Sequence, residues 1–145
     1  MPHFTIQFQA AGPQLELFVA VSQPRQQALQ QAGLPIPQPA LIRGLVDTGA
    51  SITAIDPSII RGLGIQPTGS MQILTPSTGA TPHQTNTFDV SIIVPVAGLT
   101  FTLGALQVFE SALSIQGIQA LIGRDVLSNC LLVCDGRANI FSLAF

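Results

Sequence analysis

Hydrophobic residues recur at every second position through much of this chain. In "FTIQF" Phe4, Ile6 and Phe8 share one face, and in "LELFVAV" Leu15, Leu17, Val19 and Val21 do. That period is the signature of strands with one buried side. The linking "QAAGPQ" reads as a turn. Residues 22–39, "SQPRQQALQQAGLPIPQP", interrupt the alternation. Their middle, Arg25 to Ala32 closed by Gly33, predicts a short helix. The following "LPIPQP" favours extended, polyproline-like backbone, so the whole segment reads as a surface insertion.

"ALIRGLV" resumes the strand pattern and runs into Asp47, and "ITAI" is expected to leave it as a strand. "DPSIIRGLG" has the punctuation of a helix of one or two turns: Asp56 as N-cap, Pro57 at the first position, Gly62 or Gly64 at the end. "SMQIL" and "TNTFDVSIIVPV" are strands flanking "TPSTGATPH", whose Pro and Gly mark a hairpin tip. "LTFTL" and "LQVFE" read as two short strands and "QALIG" as another, with Gly123 opening a brief helix "RDVLSN". The chain closes as a hairpin, "CLLVC-DGRA-NIFSLAF", turning at Asp135-Gly136. No repeat or boundary intervenes. The prediction is one mostly-β domain, residues 1–145, with one or two short helices.

Composition adds exclusions. Of the 145 residues 47% are hydrophobic and 8% charged, with no Lys, Trp or Tyr. The net charge of −2 and five scattered Arg offer no basic field for nucleic acid or an anionic membrane. With so little charge, either much of the surface is neutral, as fifteen Gln allow, or some of it is hidden by a partner. No apolar run is long enough to span a bilayer and the N-terminus lacks a signal-peptide pattern, so cytoplasmic residence is the expectation. On one strand Cys130 and Cys134 would lie about 13 Å apart. A disulfide reaches roughly half that. With only His3 and His83 elsewhere, no metal spacing arises either, and the expectation is two buried thiols, no metal and no cofactor.

The chemistry gathers in "GLVDTGASIT". An Asp-Thr-Gly turn behind an apolar strand presents one carboxylate; Gly49 permits close backbone approach, and Thr48 is small enough to bond backbone at a crowded junction. Peptide hydrolysis by carboxylates needs two: one ionised, to take a proton from water, and one protonated, to hydrogen-bond the carbonyl oxygen. Two such groups about 3 Å apart cannot both ionise readily. No second Asp-Thr-Gly or Asp-Ser-Gly occurs in the chain. The same residues also resemble the Asp-x-Gly-[ST]-x-[ST] phosphate loop of the actin and sugar-kinase group, although that fold is far longer and needs a second nucleotide loop.

"LVDTGAS", followed about seventy residues later by "ALIGRDVL", resembles the retropepsins, the dimeric retroviral-type aspartic proteases and their cellular and bacterial relatives. Leu121, Ile122 and Gly123 match the family's apolar-apolar-Gly segment, and Arg124, Asp125 and Leu127 its helix. The resemblance covers roughly residues 40–145 and implies a closed β-barrel-type acid protease with half an active site per chain. Asp47 would be catalytic, supported by Thr48, Gly49 and Ala50, and a homodimer would bring in its twin across a two-fold axis. It implies a flap over residues 71–90, with Thr75, Ser77, Thr78 and Gly79 at its tip. Ile52 and Ile122 (with Ile73, Leu74 and Val94) would wall a cleft for an extended, mainly apolar peptide. The terminal rows Phe4/Ile6/Phe8 and Phe141/Leu143/Phe145 would enter an intersubunit sheet, or else pack inside one subunit. Ser51 stands where many viral members have an acid that pairs with the helix Arg, which leaves Arg124 with Asp125, a partner-chain Asp56 or carbonyls. Three functions follow as alternatives: an aspartic endopeptidase, a catalytically silent dimerisation or peptide-binding module, and a phosphate binder.

Overall fold

The alternating segments form ten strands, described by a computed structural model over residues 1–75, 78–96 and 98–145. In order, with the helices, they are β1 (His3–Gln7), β2 (Gln14–Val21), α1 (Gln23–Gln31), β3 (Ala40–Val46), β4 (Ala54–Ile55), α2 (Pro57–Gly62), β5 (Gly69–Ile73), β6 (His83–Val96), β7 (Leu99–Glu110), β8 (Ala120–Ile122), α3 (Arg124–Leu127), β9 (Leu131–Asp135) and β10 (Ile140–Ala144). A single 3-10 turn, Ser114–Gln116, precedes β8.

Six strands close into a barrel in the order β2-β3-β8-β4-β7-β6, because β6 pairs back onto β2 from Phe18 opposite Ile93 to Val21 opposite Val90. Leu15, Leu17, Val19 and Val21 all point inward, as their spacing requires, and meet Ile92, Val94 and Ile122 in the core. β5 lies outside this closure. It pairs only with the start of β6, Ile73 opposite His83 and Gly69 opposite Thr87, whereas β7 joins β6 only from Thr87 onward. The outer part of the β5–β6 hairpin is therefore a two-stranded arm reaching beyond the barrel.

"LTFTL" and "LQVFE" are one strand, not two. Leu103 and Leu106 both pack against the core although they stand three positions apart, an offset that would put them on opposite faces of a regular strand. A bulge absorbs the slip: Val90 is opposite Leu106 but Ile92 is opposite Leu103, so Gly104 and Ala105 share one partner position. The Gln23 side chain lies over Gly104, which docks the insertion helix α1 on β7. α1 starts two residues before the expected Arg25, with Pro24 in its first turn, and is closed after the Ala32 cap by Gly33 in left-handed backbone. α2 begins as read, with the Asp56 carboxylate on the Ser58 amide.

The chain ends form a second sheet, β1-β10-β9. β1 pairs with β10 of its own chain, Phe4 opposite Leu143 and Ile6 opposite Phe141. Phe141 and Leu143 are fully buried, while Phe8 packs on Phe141 and Phe145 stacks on Phe101 at 4.2 Å. The terminal apolar rows thus pair within one chain, where Phe4, Ile6, Phe8 and Phe145 stay half-buried and β1 and β9 are the outer strands. The last hairpin turns through four residues, not at Asp135-Gly136 alone. The Asp135 carboxylate accepts the Arg137 and Ala138 amides, and Asn139 takes the positive φ. Cys134 is exposed and Cys130 half-buried, with burial pushing the Cys130 thiol pKa up, so the pair is not the buried one expected. No helix among the described residues is long and apolar enough to cross a membrane.

Candidate active site

β3 and β8 run parallel, Val46 opposite Ile122, and deliver the Asp-Thr-Gly turn to the end of β3. Gly44 makes that pairing possible, since a Cβ there would sit 2.9 Å from side-chain atoms of Leu17 and Ile122. The Asp47 amide donates to the Ile122 carbonyl at 3.0 Å, the Ala50 amide to the Asp47 carbonyl at 3.2 Å, and the Gly49 amide to Asp47 Oδ1 at 2.9 Å. A side chain at 49 would crowd that carboxylate, its Cβ 3.1 Å from Oδ1. Asp47 and Ala50 are half-buried; Thr48, Gly49 and Ser51 are exposed.

The "LIGRDVL" segment holds this turn from behind. The Arg124 amide donates to the Ala50 carbonyl at 2.9 Å, and Arg124 Nη2 to Ser51 Oγ at 2.7 Å. Ser51 thus keeps the helix arginine by a hydroxyl. Asp125 does not pair with Arg124: it accepts the Thr53 amide at 2.8 Å, the Thr53 hydroxyl at 2.7 Å and the Val126 amide at 2.9 Å. The fully buried Thr53 hydroxyl in turn accepts the Gly123 amide at 3.1 Å. Gly123 is obligatory for contact reasons, because a Cβ would stand 2.8 Å from the Ile52 carbonyl carbon. Leu121 packs with Ala54, Leu113 and Ile118 in a small cluster beneath.

Two residues in this scaffold went unassigned in the sequence reading. Thr53 looked like the polar alternate of a strand. Asp56 was read as a helix cap and as a partner-chain mate for Arg124, yet its second oxygen accepts the Leu113 and Ser114 amides at 2.9 and 2.8 Å, tying down the segment before β8. Burial alone would raise its pKa, but the Ser58 hydroxyl and the Ser58, Leu113 and Ser114 amides outweigh that and hold it well below the usual carboxylate range. So engaged, Asp56 is no partner for Arg124. The signal available was an Asp-Pro-Ser cap inside an apolar run.

The remaining expected site residues divide. Ile52 is half-buried beside the turn. Ile122 and Val94 are core residues, 2% and 3% exposed, rather than open walls. At the arm's end Thr75 and Thr78 bond one another (Thr75 amide to Thr78 Oγ1, 2.8 Å), and Gly79 has φ +60. Ser77 lies outside the described residues. Thr75, Thr78 and His83 border a cavity of about 530 Å³ with Glu110, and Asp47 is not among its lining residues.

The structure thus combines a closed barrel, a half-exposed Asp-Thr-Gly turn and a Gly-Arg-Asp helix bonded to that turn. The aspartyl protease family profile matches residues 38–126, and the chain belongs to that family. No curated protein matches it. The fold is retropepsin-like. The chain superimposes on a retropepsin-like aspartic protease from Rickettsia conorii with a TM-score of 0.59 at 15% identity, covering 97% of this chain and 89% of that one. The solved structures also include the simian foamy virus protease (TM-score 0.44, 14% identity, 79% and 92% covered) and the retroviral protease-like domain of Ddi1 from Leishmania major (0.43, 16%, 89% and 86%).

Proposed function

We propose that this protein is a homodimeric aspartic endopeptidase in which Asp47 from each of two subunits shares one water. The ionised Asp47 removes a proton from that water as it attacks the peptide carbonyl. Its protonated twin donates to the carbonyl oxygen where charge develops, and later the proton passes to the leaving amine. The β5–β6 arm serves as the flap, with Thr75, Thr78 and Gly79 at its end closing over an extended peptide. Thr48, Gly49 and Ala50 hold the carboxylate, and Ile52 lines the cleft.

The observation carrying this reading is the Asp47 turn itself. Its backbone is fixed by Ile122, by Ala50 through Arg124 and by the Thr53–Asp125 clamp, while Thr48 and Gly49 stay exposed. A rigid carboxylate on an open face suits a site completed by a second copy. The decisive measurement is peptide cleavage by Asp47→Asn, which should stay folded and associated; turnover equal to wild type ends the proposal.

A silent peptide-binding module is the second reading. It is favoured by the closure of β1 on β10 within one chain, which removes one reason for a partner. Binding without cleavage across a peptide screen from about pH 3 to pH 8 would select it.

A further inference from the structure

We propose that the cavity beside the arm selects peptides bearing a lysine or arginine side chain, and that Glu110 is the specificity-determining residue. This rests on the endopeptidase reading. The cavity, about 530 Å³, is bordered by Ile73, Thr78 and His83 of the arm, by Glu110 at the end of β7, and by Pro57. That volume is in the range of ligand-binding clefts.

Its place in the fold ties it to the cleft. β4 leaves the Asp47 turn and runs parallel to the end of β7, Ile55 opposite Glu110, with the Ser111 amide on the Ile55 carbonyl at 3.1 Å. The opposite border is the arm that would cover the substrate. An extended peptide lying between the turn and the arm therefore passes the mouth of this cavity, and one of its side chains enters.

The lining chemistry selects that side chain. Glu110 is the sole carboxylate among the lining residues, with no Lys or Arg beside it. It is half-buried and held in place: Asn86 Nδ2 donates to Oε1 at 3.0 Å, and the Thr85 hydroxyl donates to the Glu110 carbonyl at 3.1 Å. Oε2 has no partner among the described residues. A carboxylate held by Asn86 at one oxygen and partly removed from water matches an ammonium or guanidinium. An acidic substrate side chain would face it with like charge, so the same residue discriminates against acidic peptides.

The test is cleavage of a peptide series by the full-length chain, read by mass spectrometry. Each position within four of the scissile bond is varied among arginine, its uncharged isostere citrulline, and glutamate. At one fixed position arginine should be preferred over citrulline in kcat/KM by about tenfold, the worth of one charged hydrogen bond. Glu110→Gln should abolish that preference by lowering kcat/KM for the arginine peptide towards that of the citrulline peptide. Equal kcat/KM for arginine and citrulline at every position overturns the inference, and that comparison needs no variant. So does a preference that survives in Glu110→Gln. Absence of any cleavage that depends on Asp47 is a different result: it overturns the endopeptidase reading and this inference with it.

Discussion

Asp56 is the carboxylate on which the fold's acid tolerance turns. It is 4% exposed and accepts three backbone amides and one hydroxyl. Asp56→Ala would leave the buried Leu113 amide and the part-buried Ser114 amide without their acceptor and remove the α2 cap, a loss of about 3 kcal/mol by denaturant titration at neutral pH. Because its folded pKa is depressed, the charged-state contribution is complete above the unfolded value of about 4. It fades as pH falls from there toward the folded value. The stability gap between wild type and Asp56→Ala should therefore be constant at neutral pH and shrink below about pH 4. A mildly acidic optimum, where acid proteolysis would run, leaves this anchor charged. Asp47 carries the opposite expectation: Asp47→Asn should lower turnover by at least about 10² to 10⁴-fold. The melting temperature should hardly move, since Asp47 Oδ1 accepts only the Gly49 amide.

Among the elements, glycine positions separate packing from mere proximity. At Gly44 a new Cβ meets core atoms of Leu17 and Ile122 on neighbouring strands, which cannot yield; Gly44→Ala should cost about 1–3 kcal/mol. At Gly104 the obstruction is the end of the flexible Gln23 side chain, so Gly104→Ala should stay within about 0.5 kcal/mol. Thermal melts of the two variants side by side check this. The clamp between α3 and β4 is a second case. Thr53→Val keeps the shape but leaves the Gly123 amide without its acceptor, and about 1–3 kcal/mol should be lost. Activity should fall further than stability if the clamp sets the geometry of the turn.

For the whole molecule, the proposed shared-water mechanism with one Asp-Thr-Gly per chain would make association the condition of activity. Specific activity should fall with dilution through the dissociation range, and sedimentation should show the dimer disappearing over the same concentrations. Activity that is strictly proportional to protein down to the monomer would sink the shared-water mechanism. The outer strands β1 and β9 remain the free edges of the terminal sheet in one chain, with Leu131 and Val133 of β9 exposed. Such edges invite pairing.

Local pattern was enough for most elements. Period-2 runs located the strands, the Asp56-Pro57 and Gly33 signals bounded α2 and α1, and the two motifs named the residues that meet at the turn. Those features are legible because each depends on neighbours in sequence: alternation, capping and turn chemistry act over a few residues. Other outcomes depended on partners far along the chain. The β7 bulge required β6 opposite it, and the double role of Asp56 required Leu113 and Ser114 57 and 58 residues away. Ile122 became core once strands covered both its faces, and the terminal rows found each other across 137 residues, as Thr5 and Ser142 do. Sequence determined which segments could be strands and which residues could carry the chemistry. Tertiary structure decided which buried groups were satisfied and by whom, because burial and hydrogen bonding are settled only when distant segments pack.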